Sequence, residues 1–425
     1  MHDDIRPVMP VSPRGRTTFL TPEEAAVKDT REEVKPQTTT QASINTPGNT
    51  VGLPRSNSPL GVPIKQNKRH KFWPPTKKQL LIGSITAVVV LVVSGGLSYM
   101  AIHHKPITSS TPKVVLAPKP KPRPVSNTVA SILTGLPVPP ADNNRPITAV
   151  MIENTPFARP QAGLSQAGVV FEALTEGGIT RFMALFQDQL PNFVGPVRSA
   201  RPYFVDWDLG FDAPYAHAGG SPQALSEIQA LNVKNLDYMY YPDYYTRISS
   251  RAAPHNLYTN INNLLTLEAK LGWTSSKFSG WPRKLDSPSK NPNATNINFN
   301  LSYSTYNVNY SYDAKTNTYN RSEGGEAQID ANTGLQLSPK VVIGMIVPWS
   351  QGSLDSSDAY YSVYQDVGSG QAYVFQDGTL TIGEWNKPTQ SSPLTFTTSS
   401  GQPLKLDAGQ TWITALASTN EISYN

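Results

Sequence analysis

Arg198 and Arg201 lie three residues apart in the stretch GPVRSARP, fenced by Pro196 and Pro202. Planar guanidinium forks suit a phosphate or a carboxylate, which they grip through two parallel hydrogen bonds. If the segment opens a helix, the two arginines share a face. Further along, HAGGSPQA leads from His217 through Gly219 and Gly220 to Ser221. A glycine turn that feeds a helix N-terminus presents backbone N–H groups to an anion. The same turn can equally be a plain capped helix start. SSRAAPHNLYTN sets Arg251, His255 and Asn256 on one loop fixed by Pro254, where binding side chains and loop-tying ones are both at home. Arg181, Arg198, Arg201, His217, Gly219, Gly220, Ser221, Arg251, His255 and Asn256 therefore form a candidate ligand-binding set. Glu172 and Glu176 are its supporting carboxylates.

Other chemistries find less support. The chain has no cysteine, which removes disulfides, thiolate metal sites, a cysteine nucleophile and a lipidated cysteine. His217 and His255 are the only histidines after residue 104, so a zinc site would need carboxylates that no spacing pairs with them. No HExxH, P-loop or GxSxG motif occurs. No metal site is assigned, although a hard-cation site built from Asp and Glu stays open, and no cofactor is indicated. Glu172 and Glu176 on a regular strand stand roughly 13 Å apart, too far for a two-carboxylate glycosidase pair.

The elements that must position these residues lie between 131 and 280. ITAVMIEN (147–154) reads as a buried strand. AGVVFEALTEGGITRFMALFQD (167–188) reads as two strands joined at Gly177-Gly178, a two-residue hairpin signal. Closure there sets Leu174 opposite Arg181 and Glu172 opposite Met183. One face then carries Phe171, Ala173, Phe182 and Phe186, the other Glu172, Glu176 and Arg181. SPQALSEIQALN (221–232) is a helix with Ser221 as N-cap and Pro222 at its first position. NLLTLEAKLG (263–272) is a second helix. Residues 281–295 form a turn-rich connector. From Asn296 short alternating strands follow, so the expected fold is an α/β domain (131–280) and then a mainly-β module (296–425).

Ahead of these, residues 80–102 (LLIGSITAVVVLVVSGGLSYMAI) are uncharged and, as a helix, about 35 Å long, enough to cross a bilayer. Lys65, Lys68, Arg69, Lys71, Lys77 and Lys78 precede the span, and only Lys105 and Lys113 follow closely. That asymmetry predicts a single-pass protein with its N-terminus in the cytoplasm and its bulk outside. Residues 1–79 read as a disordered cytoplasmic tail and 103–130 as a Pro/Lys-rich linker. The net charge of +5 is divided along the chain: residues 131–425 hold 18 Lys/Arg against 24 Asp/Glu. The basic character thus belongs to the tail and linker, and nucleic-acid binding by the folded part is not supported. Protein partners are not indicated.

NNRPITAVMIEN, ARPQAGLSQAGVVFEALTEGGITRF, GPVRSARPYFVDW, HAGGSPQA and APHNLYTN resemble, in order and spacing, the YerB-like lipoproteins of bacteria. YDAKTNTYNR and the closing GQAYVFQDGTLTIGEW and PLTFTTSSGQPLKLDAGQTWI extend the resemblance over about 131–425. It implies two modules of unknown function and brings no reaction with it. Family members are often held by an acylated cysteine, which this chain lacks. The order of strand, Pro-x-Arg, helix and Gly-Gly-Ser also looks like the LytR–CpsA–Psr phosphotransferases, which hold a lipid pyrophosphate with arginines. Here Ser199 stands where that family usually shows an aspartate, which puts a metal-assisted transfer in doubt. The expectation is a membrane-anchored envelope protein that binds an anion: a phosphate, a wall glycan or a lipid-linked precursor. The alternatives are a phosphotransferase or hydrolase acting on an envelope substrate, and a structural protein whose arginines pair with its own carboxylates.

Overall fold

The computed structural model describes residues 127–353 and 360–425, which fall within one compact unit. The tail, the proposed span 80–102 and residues 103–126 of the linker lie outside the described residues. Among the described residues no helix is long and apolar enough to cross a membrane.

A nine-stranded sheet organises the chain. The first half supplies β1 (Thr148–Glu153), β2 (Val169–Leu174), β3 (Thr180–Phe186) and the short β4 (Tyr215–Ala216). The second half opens with β5 (Asn296–Phe299), β6 (Val308–Asp313), β7 (Thr318–Glu323) and β8 (Glu326–Ala327). It continues with β9 (Val341–Ile346), β10 (Gly368–Gln376), β11 (Thr379–Lys387), β12 (Thr395–Thr398), β13 (Thr411–Leu416) and β14 (Ile422–Tyr424). The large sheet runs β12-β11-β10-β9-β13-β2-β3-β1-β4. The two halves expected to stand as successive modules therefore share one sheet: β13 lies between β9 and β2 and pairs parallel with both. Every residue of β1, β2, β3 and β13 is buried. Covering on both faces explains their nearly unbroken apolar runs.

One face packs on a second, antiparallel sheet ordered β8-β7-β6-β5-β14. Phe182 meets Trp412 edge-on at 5.4 Å on this side. With α3 (Ile261–Lys270) on the Phe182 side, where the Thr148 hydroxyl donates to Glu268 Oε1 at 2.8 Å, the other face carries α1 (Pro202–Leu209) and α2 (Pro222–Ala230). There Phe171 stacks on Trp207 at 5.2 Å and meets Phe211 edge-on at 5.9 Å. In α2 the Ser221 hydroxyl accepts from the Ala224 N–H at 3.3 Å and Pro222 fills the first turn, as the sequence signals require. α3 begins two residues earlier than its apolar pattern suggests. The Asn260 side chain caps it by accepting from the Asn262 and Asn263 N–H groups.

The β2–β3 hairpin corrects the expected register. Its turn holds three residues, Glu176–Gly178, with Gly177 and Gly178 at φ 65° and 70°, and the Thr175 N–H closes it on the Ile179 carbonyl at 2.7 Å. The pairs become Glu172 with Phe182, Ala173 with Arg181 and Leu174 with Thr180. A slip of one residue reassigns which side chains of the two strands share a face. Glu172 now stands on the face covered by the second sheet, whereas Arg181 stands on the helix face.

Candidate functional site

Where β1 ends and β3 begins, the helix face becomes polar. Glu153, the last residue of β1, is the direct partner of Arg181 on β3, so their side chains emerge side by side. Val197 bridges to Ile152 and the Arg198 N–H donates to the Met151 carbonyl at 3.0 Å. GPVRSARP is thus extended up to Arg201, which precedes α1 in a β conformation (φ −137°, ψ 152°). Arg198 and Arg201 do not share a helix face, because Pro202 starts the helix after both.

Two groups of side chains meet here. Arg201 grips Glu176 with a two-pronged contact, Nε to Oε1 at 2.6 Å and Nη2 to Oε2 at 2.5 Å. Beside it, Glu153 is almost wholly buried. Its Oε1 accepts from His255 Nδ1 at 2.8 Å and from the Thr155 hydroxyl at 2.9 Å, and Arg198 Nε lies 3.6 Å away. Burial pushes the Glu153 carboxyl up, but the His255 bond and the Arg198 charge outweigh it and hold the group below its ordinary range. The Phe157 ring, 65% exposed, lies 5.4 Å from the His255 ring and forms an apolar lip.

Arg181 differs from its neighbours. It is 7% exposed, and its one hydrogen bond among the described residues runs from Nη1 to the Ser199 carbonyl at 2.6 Å. No carboxylate of the described residues lies within 4 Å of it. Burial first, and then the positive charge of Arg201, pull this guanidinium down to about 9, with Arg198 adding to the effect and Glu176 opposing it.

The remaining candidates are engaged in holding the loops. His217 is fully buried, with Nδ1 2.8 Å from the Gly219 carbonyl and Nε2 3.0 Å from Asn235 Oδ1. The Gly219 N–H donates to Asp237 Oδ1 at 2.9 Å and the Ser221 N–H to the Ala200 carbonyl at 3.3 Å. Gly220 bridges in parallel to Ala200. Arg251 ties down the chain before β2: Nη1 donates to the Ala158 carbonyl and the Tyr258 hydroxyl, Nη2 to the Pro160 carbonyl. Asn256 accepts from Arg247 Nη1 and donates to the Ile248 carbonyl.

Glu172 belongs to a different assembly. Arg321 of β7, fully buried, donates to Glu172 Oε2 at 2.7 Å and to Glu323 Oε2 at 3.3 Å, and its face lies 4.4 Å from the centre of the Trp412 ring. Glu323 Oε1 accepts from Asn154 at 2.6 Å and from Arg159 at 2.9 Å. Sequence reasoning missed Glu153, whose only signal was a carboxylate closing an otherwise apolar strand. It also missed the pairing of Glu172 with Arg321, which lies 149 residues away.

Asp286, Asp377 and Asp407 bring carboxylate oxygens within 4.8 Å of one another, the arrangement a hard cation would use. The Lys284 ammonium sits between Asp377 and Asp407, Lys340 donates to Asp286 at 2.7 Å and the Asn317 amide reaches Asp286 and Asp377. Two ammonium groups thus supply positive charge to this cluster.

A mixed sheet that joins two modules, with an arginine-rich polar cluster at its end, defines a two-module α/β protein. The sequence matches "Protein of unknown function (DUF3048) N-terminal domain" over residues 133–274 and the corresponding C-terminal domain over 297–413. It is 34% identical over 289 residues to "Putative lipoprotein YerB" of Bacillus subtilis (strain 168), covering 66% of this chain and 84% of that protein. The fold matches the crystal structure of the YerB protein from Bacillus subtilis with a TM-score of 0.63 at 28% identity, over 70% of this chain and 99% of that one. The chain belongs to this YerB-like, DUF3048 family.

Proposed function

We propose that this chain is an envelope protein, held at a membrane through residues 80–102 with its folded part outside, that binds an anionic ligand at the end of the central sheet. The ligand would be a phosphate, or a wall glycan or lipid-linked precursor that carries one. Envelope association draws support from the relative described as a lipoprotein and from the uncharged span with its basic flank. Binding rests on one observation. Arg181 is a buried guanidinium with no carboxylate at ion-pair distance among the described residues, and it lies beside two further arginines. A buried cation is costly unless it is paired. An anion on Arg181 would supply the missing partner and offset the burial, and then the charge of Arg201, that depress its pKa. Among the described residues four of its five N–H donors have no acceptor, and they would make that contact. Arg201 and Glu176 would form the rigid wall beside the ligand, and Thr155 and His255 the opposite one.

Calorimetric titration of the full-length chain with inorganic phosphate and pyrophosphate tests this reading, with Arg181→Ala alongside. The expectation is saturable binding that weakens at least about tenfold in the variant, as for a lost charge-assisted contact. Equal binding by the two proteins, or none by either, would remove the proposal.

A further inference from the structure

We infer that the Glu153–His255 pair makes this site hydrolytic toward a phosphate ester. The inference rests on the anion reading, because the ester must first be held by Arg181. The two histidines of the folded part stand in opposite states. His217 is fully buried and both its ring nitrogens face oxygen atoms of the protein. His255 has a side chain one-fifth exposed, Nδ1 fixed by Glu153 at 2.8 Å, and Nε2 without a hydrogen bond among the described residues. A carboxylate can only accept, so the proton of this contact sits on Nδ1 and the neutral ring keeps a lone pair on Nε2. The pair therefore has the arrangement of a general base with its orienting carboxylate. Thr155 and Arg198 hold that carboxylate, and Phe157 screens the ring on one side.

The neighbouring groups choose the kind of bond. Cleavage of an uncharged acyl ester needs N–H donors aimed at a developing oxyanion. In the glycine turn the Gly219 and Ser221 N–H groups are engaged by Asp237 and by the Ala200 carbonyl, so that among the described residues the turn offers the Gly220 N–H alone and no pair of donors. A phosphate ester carries its charge throughout, and guanidinium groups answer that charge. In the step, His255 Nε2 takes a proton from water as the water oxygen bonds to phosphorus. The bond from phosphorus to the ester oxygen breaks and its electron pair leaves on that oxygen. The proton on Nε2 then passes to the departing oxygen, so ester and water become phosphate and alcohol with the imidazole regenerated. His255 is the catalytic residue, and Glu153 is a positioning residue.

The test uses the full-length chain with p-nitrophenyl phosphate and bis(p-nitrophenyl) phosphate, followed by release of nitrophenolate. Wild type should turn over at least one of them. His255→Ala should lose about a hundredfold or more, the range of general acid–base catalysis, and recover part of it with free imidazole. Glu153→Gln should lower kcat and leave KM nearly unchanged. His255→Gln keeps the volume of the side chain and carries the test if the alanine variant fails to fold. Wild-type turnover no higher than that of Arg181→Ala, or full activity in a folded His255 variant, overturns the inference. Phosphate binding that persists through Arg181 in those cases leaves the anion site standing, whereas its absence from wild type removes both.

Discussion

Two arginine clusters sit on opposite faces of β2 and β3. On the face covered by the second sheet, Arg321 and Arg159 meet Glu172 and Glu323, two cations for two carboxylates, with aromatic rings around Arg321. On the helix face, Arg201 meets Glu176 and Arg198 approaches Glu153, while Arg181 stands between them with no carboxylate at ion-pair distance among the described residues. The first cluster joins the two halves of the chain and is closed. The second, among the described residues, is formed within the first half, and at its margin Glu176 is about one-third exposed. The same residue types thus serve cohesion in the closed cluster, and the proposed ligand contact falls where Arg181 has no carboxylate at ion-pair distance among the described residues.

The largest effect should come from breaking the closed cluster. Arg321→Ala strands Glu172 in the core, leaves Glu323 with Arg159 as its one cation, and should destabilise the chain by about 3–5 kcal/mol. Denaturant unfolding followed by tryptophan fluorescence measures it, since Trp412 lies under the guanidinium. Replacing all three charges, as in Arg321→Met with Glu172→Gln and Glu323→Gln, should cost less than Arg321→Ala alone. A larger loss in the triple variant would show that the cluster stabilises beyond its mutual pairing.

The open cluster should respond differently. Arg181→Met removes a buried cation that has no carboxylate at ion-pair distance among the described residues and gives up one bond to the Ser199 carbonyl, worth about 1 kcal/mol. Its unfolding free energy should change by no more than about 1 kcal/mol, while phosphate binding is lost. A destabilisation close to that of Arg321→Ala would mean that Arg181 is as structural as its counterpart, and the contrast between the faces would fail.

Much of this frame is legible in the sequence, because local signals carry it. Ser221 and Pro222 mark α2, and the apolar run before Glu153 marks β1. The resemblance of residues 131–425 to the YerB-like lipoproteins is matched by the relative and by both family domains. What escapes is set by long-range pairing. Nothing near Glu172 indicates that β13, some 240 residues later, lies beside it, or that Arg321 will meet its carboxylate. The hairpin register turned on one residue, since Gly177-Gly178 reads as a two-residue turn whereas Glu176 joins it. That single step moved Glu172 away from Arg181 and left Glu153 as the carboxylate beside it.

The smallest effect comes from the Arg201–Glu176 pair at the margin of the second cluster. Burial raises Glu176, but the bond and charge of Arg201 outweigh it and leave the folded carboxyl below its ordinary 4.5. A depressed folded pKa contributes stability above the unfolded value, and that contribution is lost as pH falls from 4.5 through the folded value. Solvent at this one-third exposed carboxylate screens the pair, so Glu176→Gln should cost about 1 kcal/mol or less at pH 7. Unfolding of wild type and variant at a series of pH values should show the gap between them constant above 4.5 and closing below it. A gap that widens on acidification would mean that Arg201 does not hold Glu176 ionised. The wall proposed beside the ligand would then have to be built by other residues.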